Sequence, residues 1–200
     1  MRTTIGVMGS AENGDARLLQ QARDLGTAIA QNGWALVNGG RNSGVMDASA
    51  LGARNAGGLV IGILPDEGLT RASRHLDVAI RTGMGDGRNY INVLSSDIVI
   101  AMPGGAGTLS EVALALKAGR TVIALEWDLG SAFDHFRRTG RLLEAGSVEE
   151  AITLCRKSIR QPVGNPESRI GTAAVKDAPP PKSRMEMPAV EKLRRAREQG

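Results

Sequence analysis

The stretch that decides the fold reads DIVIAMPGGAGTLSE and occupies residues 97–111. It begins with a continuous apolar run, passes through a glycine-rich segment at 103–108, and continues into apolar residues at helical spacing. A continuous apolar run is typical of a strand that is covered on both faces of a parallel sheet. We therefore predict a strand over 97–102, then a loop, then a helix over 109–118.

The same alternation of strand and helix extends outward through residues 1–164. Further strands are predicted where short apolar runs end in glycine, proline or a polar turn, at 3–8, 34–37, 59–64, 78–81 and 121–126. Further helices are predicted where apolar residues recur at helical spacing, at 15–32, 45–56, 90–95 and 147–158. Repeated strand–loop–helix units predict an α/β fold: a doubly wound, mostly parallel Rossmann-like sheet with helices on both faces.

Residues 165–200 differ from the rest of the chain in composition. They hold five of the eight prolines, no aromatic residue, and eight basic against five acidic side chains. Their net charge is +3, which leaves only +1 of the chain's +4 for residues 1–164. Such a segment buries too little apolar surface to offset the entropy of ordering. We predict one Rossmann-like domain over 1–164 and a disordered, proline-rich, basic tail over 165–200, with contact to an acidic partner as the tail's alternative role.

Composition excludes several classes of protein. The 200 residues include one cysteine and two histidines, too few for an internal disulfide, a cysteine-rich metal cluster or a histidine-based metal site. The five aromatic residues give no stacking platform for single-stranded nucleic acid. No apolar stretch reaches about 18 residues, and the first residues lack the apolar segment and cleavage site of a secretory signal. We expect a cytoplasmic protein without a metal, a membrane partner or a nucleic-acid partner.

Three glycine-rich loops follow predicted strands. They contain Gly9 and Ser10, then Gly39 and Gly40, then Gly104, Gly105, Gly107 and Thr108. The carboxyl ends of parallel strands meet at one sheet edge, where ligands bind at the reversal of strand order. Because the last loop runs into a helix, whose free amides and dipole favour anions, we predict a phosphorylated ligand. The alternative is that the glycines only form tight turns.

Two common nucleotide-binding patterns are missing from these loops. The first strand does not continue into G-x-G-x-x-G, and no Gly-Lys-Ser/Thr occurs. A dinucleotide-dependent dehydrogenase and a P-loop ATPase are therefore disfavoured.

Two charged residues stand beside the loops. Glu111 lies one turn into the predicted helix, and Arg88 precedes the strand over 97–102. Each also has a purely structural interpretation. Thr108 and Glu111 have the spacing of a helix capping box, in which Glu111 bonds the Thr108 amide. Arg88 can be an ordinary surface arginine.

At these residues the chain resembles the "lysine decarboxylase-like" superfamily, which includes the LOG (Lonely Guy) phosphoribohydrolases. The family motif PGGxGTxxE stands complete at residues 103–111. The family's catalytic arginine lies fifteen residues before the motif proline and nine before a strand-opening aspartate, and Arg88 has both spacings, to Pro103 and to Asp97. The resemblance covers roughly residues 3–158 and leaves out the tail.

The resemblance implies a function and assigns roles to the residues above. LOG enzymes cleave the N-glycosidic bond of a cytokinin nucleoside 5'-monophosphate and release the free base and ribose 5-phosphate. By resemblance, Arg88 and Glu111 form the catalytic pair. The implied phosphate cradle is Gly104, Gly105, Gly107 and Thr108, with Gly39 and Gly40 lining the same crevice. No cofactor is implied, and lysine decarboxylation is not expected, since no pyridoxal-phosphate lysine signature is visible.

The chemistry suits these residue types. Glycosidic cleavage passes through an oxocarbenium-like state, and a carboxylate can stabilise its positive charge and activate water. An arginine can fix the nucleotide and keep that carboxylate ionised by pairing with it. The residues alone do not say which of the two contacts the base, the sugar or the water.

Four positions depart from the usual LOG pattern. Arg41 and Asp47 stand where GGGxxGLMG has glycines, Asn89 replaces the lysine after the arginine, and Ser110 replaces a glutamate. These features resemble a sister branch of mostly uncharacterised bacterial proteins and molybdenum-cofactor carriers, which bind a phosphorylated pterin without turning it over. Two functions therefore stay open: a nucleoside 5'-monophosphate phosphoribohydrolase, or a non-catalytic nucleotide- or molybdenum-cofactor-binding carrier or sensor. Relatives of this group are dimers or larger, so the resemblance also implies a homo-oligomer.

Overall fold

The computed structural model describes residues 1–12 and 15–160. Within them the strands are β1 (Thr4–Met8), β2 (Ala35–Asn38), β3 (Leu59–Leu64), β4 (Val78–Arg81), β5 (Ile98–Ala101), β6 (Thr121–Leu125) and β7 (Leu142–Ala145). The helices are α1 (Ala16–Gln31), α2 (Gly44–Asn55), α3 (Arg88–Leu94), α4 (Ala106–Lys117), α5 (Asp134–Arg138) and α6 (Val148–Arg160). The predicted tail over 165–200 lies outside the described residues.

All seven strands form one parallel sheet in the order β4-β3-β2-β1-β5-β6-β7. The chain winds outward from β1 to β4, then returns to the other side of β1 and winds outward again to β7. Strand order therefore reverses between β1 and β5, where Met8 pairs with Ala101. This is the doubly wound α/β fold that the sequence predicts, and its switch point lies between the first glycine loop and the motif loop.

The core consists of two apolar clusters, one on each face of the sheet. Ile98 and Ile100 of β5 pack with buried residues of α1, α2 and α6. Val99 and Ala101, which point to the opposite face, pack with buried residues of α3 and α4. Because both faces are covered, all four residues of β5 are buried, as a continuous apolar run requires.

Local signals explain where α1 begins and ends. The Asp15 side chain accepts hydrogen bonds from the backbone amides of Arg17 and Leu18 at 2.9 and 3.2 Å, which caps the helix. Gly33 adopts a φ of +73° just after the helix, a conformation that glycine takes without strain. No helix within the described residues has the length and apolar character needed to cross a membrane.

Three elements were not predicted or have a boundary that differs from the prediction by more than two residues. β7 and α5 were not predicted, because their four and five residues are too short to show a period, and β7 is only partly buried. α4 begins at Ala106 rather than at residue 109. The backbone of Leu109 donates to the Gly105 carbonyl at 3.1 Å, so the glycine-containing segment forms the first helical turn despite its low helix propensity.

Candidate active site

A cleft of about 260 Å³ opens at the carboxyl ends of β1 and β5. Of the residues predicted from the sequence, it is lined by Gly9, Ser10, Gly39, Arg88, Gly105, Gly107, Thr108 and Glu111. It is also lined by residues that were not predicted, among them Glu12, Met46, Asp86 and Asn89. Gly40 and Gly104 lie in the same loops but do not line the cleft. The fold thus brings together three loops that lie up to about a hundred residues apart in sequence.

The loop after β5 packs closely against the loop after β1. The Ser10 amide donates to the Pro103 carbonyl at 3.1 Å. A Cβ atom on Gly104 would overlap the Thr108 hydroxyl and lie 3.0 Å from the Ser10 amide nitrogen, so this approach requires a glycine. Gly105 and Gly107 instead face open space, since a Cβ atom there would meet nothing within 4 Å. The first turn of α4 therefore presents its free amides to the cleft without side chains in the way.

The loop after β2 lies against the guanidinium of Arg88. A Cβ atom on Gly39 would stand 2.7 Å from Cζ of Arg88, so the guanidinium packs flat against this glycine. The next residue, Gly40, has a φ of +70°, and its amide donates to the Asn38 side-chain oxygen at 2.8 Å. Asn38 is fully buried and its Nδ2 donates to the Met46 carbonyl at 2.9 Å. The loop is thereby fixed to the start of α2.

Arg88 opens α3, and its side chain has no hydrogen bond to any residue that the structure describes. Its side chain is 13% exposed, and its buried Nε has no partner. The pKa of Arg88 is lowered first by burial and also by the nearby charge of Arg41, against the raising effect of Glu111, Asp86 and Asp66. An arginine remains protonated under such a shift. It therefore presents a buried, charged fork of donors that a bound anion can occupy.

Glu111 of α4 faces Arg88 across the cleft. Its side chain is 9% exposed, and Oε1 lies 3.7 Å from Nη1 of Arg88. Oε1 also accepts a hydrogen bond from Nδ2 of Asn92 at 2.8 Å. Burial raises the pKa of Glu111, opposed by the Asn92 hydrogen bond and by the charge of Arg88. The carboxyl group is thus held out of water beside a cation.

The capping-box interpretation of Glu111 is wrong. α4 begins at Ala106, with Gly105 at the N-cap, so Thr108 lies inside the helix. The Glu111 carboxylate bonds Asn92 of the neighbouring helix instead. The interpretation of Arg88 as an ordinary surface residue is wrong as well, because its side chain is mostly buried.

The four departures from the LOG pattern form interactions near the cleft. Nδ2 of Asn89 donates to Oγ of Ser110 at 3.0 Å, which joins α3 to α4 one residue away from Arg88 and Glu111. Arg41 forms an ion pair with Asp66 at 2.6 Å. The Ser73 hydroxyl donates to Asp47 at 2.6 Å.

These last two contacts have a common effect. Both tie the start of α2 and the loop before it to the segment between β3 and β4, and a bridge between Arg41 and Ala72 adds to them. Arg41 and Asp47 therefore stabilise the wall of the cleft that the loop after β2 and the start of α2 form. Neither residue contacts Arg88 or Glu111 through these bonds.

Asn92, the partner of Glu111, was not predicted from the sequence. One signal was available: Asn92 lies four residues after Arg88, and residues at this spacing share a helix face. A polar side chain on the face that carries the candidate arginine is a candidate for the same site.

A protein-family model described as the SLOG cluster4 family matches residues 2–152. This chain belongs to the SLOG cluster4 family. Solved structures similar to this SLOG cluster4 protein include the molybdenum cofactor binding protein of Rippkaea orientalis, with 47% identity and a TM-score of 0.75 over 80% of this chain and 98% of that one. The molybdenum cofactor carrier protein of Chlamydomonas reinhardtii is 38% identical, with a TM-score of 0.73 over 80% of this chain and 100% of that one.

Curated relatives of the SLOG cluster4 protein are of two kinds. An uncharacterized protein of Archaeoglobus fulgidus is 46% identical over 122 residues, which are 61% of this chain and 79% of the relative. A cytokinin riboside 5'-monophosphate phosphoribohydrolase of Mycobacterium tuberculosis is 39% identical over 111 residues, 54% of this chain. The match spans 59% of that enzyme's length.

Proposed function

We propose that this protein binds a nucleoside 5'-monophosphate in the cleft and hydrolyses its N-glycosidic bond to a free base and ribose 5-phosphate. One observation carries the proposal. The Arg88 guanidinium, mostly buried and without a hydrogen bond to the described residues, lies 3.7 Å from the buried carboxyl group of Glu111. A cation whose donors have no hydrogen bond to the described residues suits an anionic ligand, and the carboxyl group beside it suits a developing positive charge.

The 5'-phosphate is proposed to bind at the start of α4. The amides of the first turn have no partners within the helix, and Gly105 and Gly107 leave the space in front of them open. Thr108, at the same turn, adds a hydroxyl group at the edge of the cleft. Gly9, Ser10 and Gly39 would form the walls that enclose the nucleotide. Gly40 would support the loop behind Gly39, through the hydrogen bond from its amide to Asn38.

Glu111 is proposed to act as the carboxylate of the reaction. The bond between the ribose anomeric carbon and the base nitrogen breaks, and its electron pair leaves with the base, which takes up a proton from solvent, while Glu111 later releases to solvent the proton that it accepts. Glu111 stabilises the oxocarbenium-like ribose and accepts the proton from the water that adds to the anomeric carbon. Arg88 holds the nucleotide and favours the ionised carboxylate.

A second candidate function is molybdenum-cofactor binding without turnover. It is favoured by the match with the Rippkaea orientalis protein, which covers 98% of that chain at 47% identity. In this case the same cleft would bind a phosphorylated pterin. Glu111 supports the hydrolase over the carrier, because a buried carboxylate beside the site of a phosphate lowers anion affinity and gives a purely binding cleft no advantage.

The deciding experiment measures ribose 5-phosphate release from a panel of nucleoside monophosphates that includes AMP and N6-substituted AMP. Arg88→Ala and Glu111→Ala should abolish release. Arg54→Ala and Glu149→Ala are matched controls with exposed side chains outside the cleft, and they should leave release unchanged. No release from the unmodified protein, together with tight binding of molybdenum cofactor, would reject the hydrolase in favour of the carrier.

We also infer, from the resemblance alone, that the protein works as a homodimer or larger homo-oligomer in the cytoplasm. Light scattering coupled to size-exclusion chromatography of the full-length chain measures its molar mass in solution. A mass of a single chain of 21.0 kDa would contradict the oligomer.

A further inference from the structure

Asn92, a fully buried residue of α3, contacts the carboxyl group of Glu111. Its side chain is 0% exposed, and Nδ2 donates to Oε1 of Glu111 at 2.8 Å. Asn92 does not line the cleft. Its partner is therefore the carboxyl group rather than the ligand, which places Asn92 behind the reacting groups.

The backbone of Asn92 is held in place by a buried serine. Oγ of Ser96 donates to the Asn92 carbonyl at 2.8 Å, and Ser96 is 1% exposed. Ser96 packs against Gly6 of β1, where a Cβ atom would lie 3.0 Å from the serine Cβ and overlap its hydroxyl. A continuous set of contacts thus connects the central strand with Glu111.

The side-chain oxygen of Asn92, Oδ1, indicates that the residue has a role other than stabilising the fold. Oδ1 is buried and has no hydrogen-bond partner within the described part of the chain. An unsatisfied buried acceptor carries a desolvation cost, and a leucine at this position would avoid it. The asparagine is thus not there for stability alone, which indicates a role for the donor on Nδ2.

The donor distinguishes the two carboxyl oxygens of Glu111. Oε1 accepts the Asn92 hydrogen bond and is the oxygen that pairs with Arg88. Oε2 has no hydrogen bond to the residues described, so it is the oxygen left for a ligand or a water molecule. A fixed carboxylate plane with one free oxygen is the arrangement that general-base chemistry needs.

We propose that Asn92 is the positioning residue of this site, whose amide fixes Oε1 of Glu111 and leaves Oε2 to the reacting water. The proposal rests on the hydrolase function above. The hydrogen bond also favours the ionised carboxylate, and its loss should raise the pKa of Glu111, because burial would then act against the charge of Arg88 alone.

Three charged side chains other than Glu111 line the cleft: Glu12, Asp86 and Arg88. β5 and β6, which pack against α4, have no charged side chain. Arg88 faces the carboxyl group directly, and Asp86, Asp66 and Arg41 act on Arg88 in turn. The change Asn92→Leu therefore acts on Glu111 without adding or removing a charge.

The experiment titrates Glu111 in the full-length chain with 13C-labelled glutamate, its Cδ signal assigned by its absence from Glu111→Gln. Asn92→Leu removes the donor and Asn92→Asp replaces it with an acceptor of the same shape. Asn32→Leu, at the end of α1, is the matched control: it makes the same change at a half-buried asparagine with two side-chain hydrogen bonds. Wild type, Asn92→Leu, Asn92→Asp and Asn32→Leu are also assayed for kcat, for the pH profile of kcat, and for the Kd of AMP.

In Asn92→Leu the pKa of Glu111 should rise by roughly one to two pH units. Its kcat should fall roughly tenfold or more, with the Kd of AMP within about twofold of wild type. Asn92→Asp should raise the pKa further, since two carboxyl groups then share one site. Asn32→Leu should change none of these values.

An unchanged Glu111 pKa in both Asn92 variants would overturn the proposal, even with a reduced kcat, because a loss of packing alone lowers rate without moving that titration. If Asn92→Leu does not fold, the isosteric Asn92→Asp decides. If the wild type releases no ribose 5-phosphate while Asn92→Leu shifts the Glu111 titration, the hydrolase fails and the positioning of Glu111 by Asn92 stands.

Discussion

Nη1 of Arg88 and Oε1 of Glu111 lie 3.7 Å apart, each on the first or second turn of its own helix and each mostly buried. The separation exceeds that of a hydrogen bond, so the guanidinium keeps its donors for another acceptor. The pair combines a cation that is free to bind an anion with a carboxyl group that is shielded from water. The charge and the burial of the Glu111 carboxyl group lead to the first two predictions.

Glu111→Gln should separate binding from turnover. The amide retains the shape of the carboxyl group and an oxygen to accept the Asn92 hydrogen bond, but it can neither take a proton nor stabilise a cation as strongly. Release of ribose 5-phosphate should fall by roughly two orders of magnitude or more, while the Kd of AMP should stay equal or improve as a negative charge leaves the phosphate site. Weaker AMP binding in this variant would contradict the assignment, and steady-state kinetics with calorimetry measure both quantities.

The pH dependence of both rate and stability should report the raised pKa of Glu111. If the carboxylate is the active form, kcat/KM should fall as pH drops through a pKa above the ordinary value for glutamate of about 4.3. The same shift means that the unfolded chain releases this proton more readily than the folded protein, so stability decreases as pH rises from about 4.3 to the folded pKa.

The stability effect has a direct check. Glu111→Gln should be more stable than wild type at pH 7, and the difference should vanish below pH of about 4, because both proteins then carry a neutral group. Denaturant unfolding at the two pH values measures this. A wild type that is the more stable of the two at pH 7 would contradict the burial of an ionised carboxylate at this position.

Gly107→Ala should stabilise the fold and weaken ligand binding. Gly107 lies in the first turn of α4, where a Cβ atom meets no protein atom within 4 Å, and alanine is the better helix former by up to about 1 kcal/mol. The added methyl group would occupy the space proposed for the phosphate. A higher Tm with a Kd for AMP raised about tenfold is expected. Gly68→Ala, also in open space but outside the cleft, is the control and should leave the Kd unchanged.

Asn89 and Ser110 should be energetically coupled. Their hydrogen bond of 3.0 Å joins α3 to α4 beside Arg88 and Glu111. A double-mutant cycle of Asn89→Ala and Ser110→Ala should give a coupling of about 0.5–1.5 kcal/mol in the free energy of unfolding. Additive effects within experimental error would show that the two substitutions from the LOG pattern act independently.

The fold was largely predictable because its signals are local. Continuous apolar runs, glycine stops and the cap at Asp15 each depend on a few neighbouring residues, and the strand at 59–64 was predicted to the residue. β7 was missed because four residues of mixed burial show no pattern of their own; its place beside β6 depends on packing. The early start of α4 was missed for a related reason, since residues 106–108 look like a loop by propensity.

The site was predictable only in part. Resemblance to a family motif selected Arg88 and Glu111, and the structure places both in one cleft. The motif could not reveal Asn92, which touches the carboxyl group rather than the ligand. The motif also could not tell a capping box from a carboxyl group buried beside Arg88, because the choice depends on where the helix begins and on what packs against it.

The sequence by itself determined the parallel sheet and the three glycine-rich loops at its carboxyl edge. It also determined which two charged residues, Arg88 and Glu111, are the site candidates. These features follow from the periodicity of apolar residues and from the spacing of the motif, which depend only on the order of residues in the chain. Only the tertiary structure decided that the loop after β1 bonds the loop after β5, that the Arg88 guanidinium lacks a hydrogen-bond partner among the described residues, and that Asn92 holds Glu111. These properties arise from contacts between residues distant in sequence. The raised pKa of Glu111 is of the same kind, because desolvation is set by every element that covers the carboxyl group.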